Sequence, residues 1–252
     1  MKNNLQLHSD AIQTRLELRE DILSPIDIFS LINSLEDCTL ILYPMSDRIS
    51  GMCIKEGESK IIAVNSKTSY GRQRFTVAHE LYHLLHEKDL KGSICDMKFD
   101  GPKPDNEKEA DVFASYLLAP YDAIEAYITK KLLRYKTNWT LEDVIEMEQY
   151  FQISHQAMLK RLVMDSYLTQ EAVNSFEKGI KYKAKRLGFD DKLYCAAEEE
   201  KEYFSIGEYV KKVQMLKDHD LISDGKYDEL LLDAFRSDIV YNLGGEDMEI
   251  DD

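Results

Sequence analysis

Three of the six histidines in this 252-residue chain fall within one short run, Ala78-His79-Glu80-Leu81-Tyr82-His83-Leu84-Leu85-His86. Imidazole is the commonest metal ligand among side chains. On a helix advancing about 100° per residue, His79 and His83 lie one turn apart and can grip a single ion. Glu80 beside them is placed to act as a general base toward an attacking water, the chemistry of an H-E-x-x-H metallohydrolase. Val77, Leu81, Leu84 and Leu85 cluster roughly opposite the histidines. That distribution predicts a helix with a buried back and with its histidines facing a cleft.

Catalytic zinc usually takes three protein ligands and leaves the fourth position to water. The third is sought downstream, in Asn106-Glu107-Lys108-Glu109-Ala110-Asp111-Val112-Phe113-Ala114. Glu107 and Asp111 share a helix face with the small residues Ala110 and Ala114, whereas Glu109 points about 160° away from Glu107. Small residues let this helix approach the histidine helix closely, so Glu107 is the expected ligand. Asp111 is then placed to accept an N–H from a ligand histidine and fix its tautomer. His86, one turn past His83, is a candidate for polarising substrate or stabilising an oxyanion, and a surface histidine is the competing reading. Tyr82 reads as packing. Mn²⁺ or Fe²⁺ would also suit a site of two histidines and one carboxylate. Cys95 lies between the two helices; it could touch zinc in a latent form, but a free buried thiol is the better reading.

The elements that must position these groups are legible in part. The expected histidine helix runs from about Tyr70 to Glu87, and the second from about Asn106 to Leu118, before Pro120. Ser24-Pro25-Ile26-Asp27 reads as a helix start, with Ser24 as cap and Pro25 in the first turn. Three β-like runs follow, Cys38–Tyr43, Gly51–Lys55 and Ile61–Asn65, with Glu56-Gly-Glu-Ser59 as a turn, so a small antiparallel sheet is expected. Residues 91–105 carry Gly92, Gly101, Pro102 and Pro104 and read as a loop. Beyond Pro120 the pattern is helical. Residues 141–163 have helix-turn-helix spacing, with Ser154 capping the second helix, but an acidic first helix makes a packed supporting pair the better reading than a DNA reader. The basic cluster Lys178–Arg186 reads as a solvated helix face. The fold class is therefore α+β: a zincin-like domain over residues 1–167, a helical region over 168–243, and an acidic tail, 244–252, expected to be disordered.

The balance of 32 basic against 47 acidic residues, a net −15, disfavours sequence-independent binding to nucleic acid and to anionic membranes. No apolar run approaches a transmembrane span, and the first ten residues lack the features of a signal peptide. The four cysteines, Cys38, Cys53, Cys95 and Cys195, are far apart and read as reduced thiols, which places the chain in the cytoplasm.

Two segments carry a family resemblance. Arg74-Phe-Thr-Val-Ala-His-Glu-Leu-Tyr-His-Leu-Leu-His86, followed by Glu107-Lys-Glu-Ala-Asp-Val-Phe-Ala-Ser-Tyr-Leu-Leu-Ala-Pro120, resembles the ImmA/IrrE family of metallo-endopeptidases, over roughly residues 25 to 165. The resemblance implies a gluzincin-type core with zinc on His79, His83 and Glu107 and Glu80 as base. Tyr82 departs from it, since the family commonly has glycine there. It also implies an intracellular protein partner, a helix-turn-helix repressor of the XRE type, cleaved to relieve repression. An acidic surface is compatible with steering such a basic partner. The alternative is a regulatory module that sequesters a repressor or toxin without cutting it, its metal structural or sensory. Oligomeric state is not readable.

Overall fold

In the computed structural model, residues 2–87, 90–96, 102–132, 139–176 and 178–243 are described. The elements in chain order are α1 (Asn4–Glu17), α2 (Ile28–Ser34), β1 (Cys38–Tyr43), β2 (Ile49–Glu56), β3 (Ser59–Asn65), α3 (Tyr70–His86), β4 (Gly92–Asp96) and α4 (Asp105–Leu118). Then follow α5 (Tyr121–Tyr127), which runs into a π turn at Ile128–Leu132, α6 (Leu141–Phe151), α7 (His155–Met164), α8 (Gln170–Phe176) and α9 (Ile180–Arg186). The chain ends with β5 (Phe204–Gly207), α10 (Glu208–Asp218), α11 (Asp224–Asp233) and α12 (Ser237–Val240). The expected acidic tail lies outside the described residues.

The architecture is α+β, with one five-stranded sheet in the order β4-β2-β3-β1-β5. It is a mixed sheet rather than the antiparallel one expected. β2 and β3 form the anticipated hairpin, Glu56 pairing with Ser59 across Gly57, whose φ of 59° is the left-handed conformation that a two-residue turn asks of its first residue. The hairpin docks on β1 through β3, in parallel, with Leu40 opposite Ile62. Ile61-Ile-Ala-Val64 is apolar on both faces and suits the centre of a sheet, so β3 takes that place and pushes β2 outward. Two strands were not legible. β4 forms within the stretch read as a loop and pairs with β2, Gly51 opposite Cys95. β5, from the region read as purely helical, adds to the other edge beside β1.

Helix α1 also escaped the sequence reading; Asn3 and Gln6 close a reciprocal capping box at its start. The helix expected to begin at Ser24 begins later. Asp27 caps α2 by accepting from Phe29 N, while Ser24 donates its hydroxyl to Asp21. Ser154 does cap α7, accepting from Ala157 N. Lys183 pairs with Glu142, and Lys181 and Lys185 share Asp191, so much of the basic cluster is neutralised within the chain.

The depth of α3 follows from small residues beneath it. A Cβ on Gly51 would come within 2.5 Å of Thr76 Cγ2, so β2 and α3 touch backbone to side chain there. Two buried arginines hold α4 at its other end. Arg15 donates to the carbonyls of Leu117 and Leu118 at 2.8 and 3.3 Å and to those of Asp21 and Ser24. Arg161 donates to Ser115 and Ala119 at 3.1 and 2.8 Å and lies over the Tyr116 ring. The last carbonyls of a helix have no partner within it, and here guanidinium groups supply them. Burial lowers the Arg15 pKa to about 10, still charged at neutrality. Replacing Arg15 with Met leaves these acceptors buried and unpaired, so Arg15→Met should cost about 3 kcal/mol or more in urea denaturation.

Candidate active site

Helix α3 is buried on nearly every side, with Val77, Leu81 and Leu84 in the core and His79, Glu80 and His83 equally enclosed. The expected open cleft is thus a closed interior between α3, α4 and β4. Leu85 corrects the predicted apolar face, since it is 45% exposed at the helix end. The turn-by-turn spacing sets the two histidines side by side, their Nε2 atoms 3.2 Å apart. Helix α4 crosses next to them, and Glu107 brings Oε2 to 3.2 Å from His79 Nε2 and Oε1 to 3.2 Å from His83 Nε2.

Each histidine is oriented through its other nitrogen. His79 Nδ1 lies 3.0 Å from Asp111 Oδ1, whose second oxygen takes Lys103 Nζ at 2.6 Å. His83 Nδ1 lies 2.7 Å from Glu87 Oε1, which Asn106 also contacts. With both Nδ1 atoms held by carboxylates, both Nε2 atoms turn toward Glu107, and removing their protons would aim two lone pairs at one point. Burial disfavours charge on His79, but its hydrogen bonds to Asp111 and Glu107 and the nearby Cys95 thiol outweigh that and hold its pKa well above the ordinary value. His83 is raised in the same way by Glu107 and Glu87. Burial raises the Asp111 carboxyl, yet the His79 hydrogen bond and the charges of His79 and Lys103 bring it down to about 2. The local field favours positive charge between these side chains.

The donors fit a divalent metal. Tetrahedral bonds of about 2.0–2.1 Å place ligand atoms about 3.3 Å from one another; here the two Nε2 atoms stand 3.2 Å apart, and each lies 3.2 Å from a different oxygen of Glu107. Glu80 is fully buried, and neither of its carboxylate oxygens has a hydrogen-bond partner among the described residues. The Cys53 thiol sits beside this carboxylate without reaching hydrogen-bond geometry, and burial pushes the Glu80 pKa up, in part offset by the charge of His79. An enclosed, unpaired carboxylate is costly to a fold.

Other predicted residues sit elsewhere. Glu109 accepts from Tyr82 Oη at 2.6 Å and from Lys2 N, on the far side of α4 from Glu107. Tyr82 packs between His86 and Phe113. His86 is not brought to the ligand atoms; its ring rests on Tyr82 and Phe113, toward α1. Three contributors went unread. Glu87 was findable, one turn after His83. Lys103 and Cys53 were not, because loop and strand placement brings them in. Cys95, from β4, has its sulfur grouped with the ligand atoms of His79 and Glu107, all within 4.8 Å of one another.

Residues 41–163 match the family model described as the IrrE N-terminal-like domain, a peptidase family. The match runs from the middle of β1 through β4, with α3, α4 and the α6–α7 pair, and leaves out β5. A curated relative, the radiation response metalloprotease IrrE of Deinococcus deserti, is 33% identical over 108 residues, covering 41% of this chain. The chain spans 37% of that relative's length. Among the described residues no helix is long and apolar enough to cross a membrane.

A polar cleft of about 570 Å³ opens beside Asp111, lined by Thr68, Arg72, Lys103, His155 and Lys160. A more apolar cavity of about 580 Å³, lined by Leu40, Leu42, Tyr70 and Phe204, contains none of the converging donors. Loss of an outer partner of a ligand histidine typically weakens metal binding 10–100-fold. Asp111→Ala should therefore lose metal to a chelator at about tenfold lower competitor concentration or less, read by chelator titration with far-UV circular dichroism unchanged.

Proposed function

We propose that this chain is a zinc-dependent endopeptidase that cuts an intracellular protein in the cytoplasm, with a helix-turn-helix repressor of the XRE type as substrate. The observation that carries the reading is the buried, unpaired Glu80 carboxylate next to three donors converging at 3.2 Å. His79, His83 and Glu107 would hold the ion. Zinc bound there supplies Lewis acidity toward the scissile carbonyl and the attacking water. Glu80, its pKa raised by enclosure, takes the water proton and passes it to the departing amine. Asp111 and Glu87 keep the imidazoles in the tautomer that presents Nε2. The free edge of β4 lies nearest this site and offers backbone groups to an added substrate strand. The match to a peptidase family model and the relative's description as a metalloprotease support the activity. The repressor rests on the family resemblance and on the acidic surface.

Glu80→Gln keeps the three donors and removes the base. Its zinc content should match the wild type while cleavage falls at least about a hundredfold. Glu107→Ala should instead lose the zinc, by elemental analysis. The test incubates the zinc-loaded chain with purified XRE-type repressors from the same genome and follows fragments by mass spectrometry. Fragments that depend on Glu80 support the reading. A stable complex of intact chains would replace it with sequestration, a role in which Glu80 has no use.

A further inference from the structure

Cys95 is the one donor at this site that the proposed reaction does not use. Its side chain is buried on β4 and its thiol is free of any disulfide. Register places it opposite Gly51, whose missing side chain leaves the close approach between β2 and α3 open. The sulfur, a His79 ring nitrogen and a Glu107 oxygen lie within 4.8 Å of one another. Asp111 engages His79 through Nδ1 and Glu107 stands 3.2 Å from its Nε2, so a sulfur grouped with both His79 and Glu107 adjoins the converging donors. Three protein donors leave a tetrahedral ion with one position, which water takes in catalytic sites and a protein ligand closes in structural ones.

We propose that Cys95 is a fourth, displaceable ligand: its thiolate closes the metal site in the resting protein and must leave before water and substrate can enter. The inference rests on the three-donor site proposed above. Binding converts S–H to S⁻ bonded to the metal, with the proton released to solvent. The position suits a ligand that comes and goes. β4 is five residues long and, among the described residues, lies at the sheet edge with β2 as its one strand partner, so a small shift of this strand withdraws the sulfur while α3 and α4 stay packed. A substrate strand joining β4 would act on the same element that carries the thiol.

The experiment is zinc-edge X-ray absorption on the zinc-loaded full chain, with cobalt substitution of the wild type, Cys95→Ser and Cys195→Ser. The expected result is one sulfur scatterer at about 2.3 Å beside nitrogen and oxygen at about 2.0–2.1 Å. A thiolate-to-cobalt charge-transfer band should appear in the wild type and in Cys195→Ser and be lost in Cys95→Ser. Bound metal with nitrogen and oxygen scatterers alone would overturn the role of Cys95 and leave the three-donor site standing. No metal retained by the wild type, even after zinc is added back, would overturn both. The absorption measurement on the wild type decides the question even if Cys95→Ser fails to fold.

Discussion

Two imidazoles and a carboxylate whose nearest atoms stand 3.2 Å apart stay together only while positive charge lies among them, as protons on the rings or as a bound ion, and the rest of the structure is arranged to keep them there. Asp111 and Glu87 hold the Nδ1 atoms and so turn the Nε2 atoms inward. Burial removes the water that would otherwise screen the donors. What reads in sequence as a metal motif is physically a small volume of concentrated negative potential, maintained by the packing of two helices.

That packing depends on parts far from the donors. Glu107 sits near the start of α4, and the end of α4 is held by Arg15 from α1 and Arg161 from α7. A shift of one residue along the helix moves a side chain by about 1.5 Å and turns it by about 100°, which would take Glu107 out of reach of both histidines. Arg74 performs a related role for α3, donating to the carbonyls of Gln152 and Ile26 and so joining the turn between α6 and α7 to the start of α2. The helix pair that resembles a DNA reader is thereby part of the frame. Its buried Glu148 contacts His155 and Tyr194 rather than solvent.

Enclosure and access pull in opposite directions. The same burial that raises Glu80 and strengthens each electrostatic contact leaves little room for a polypeptide to reach the donors. The edge position of β4 is where the two demands meet, because an edge strand gives up few hydrogen bonds when it moves. The polar cleft beside Asp111 adds a second approach, lined by Arg72, Lys103 and Lys160.

Local spacing was enough to place His79 and His83 on one helix turn, to set Glu107 rather than Glu109 toward them, and to bring Asp111 to His79. Each is a question of which residues share a helix face, and a period of 3.6 answers it. The β2–β3 hairpin was legible for the same reason, since turn chemistry around Gly57 is local. The parallel docking of β3 on β1, the strands β4 and β5, and the helix α1 were not, because each is stabilised by partners distant in sequence. Glu87 was within reach of the spacing argument and was passed over. Cys95 could be named from its place between the two helices but was read as a free thiol, because its nearness to His79 and Glu107 depends on β4 pairing with β2. Periodicity decides which side chains can act together on one element; only tertiary pairing decides which elements meet.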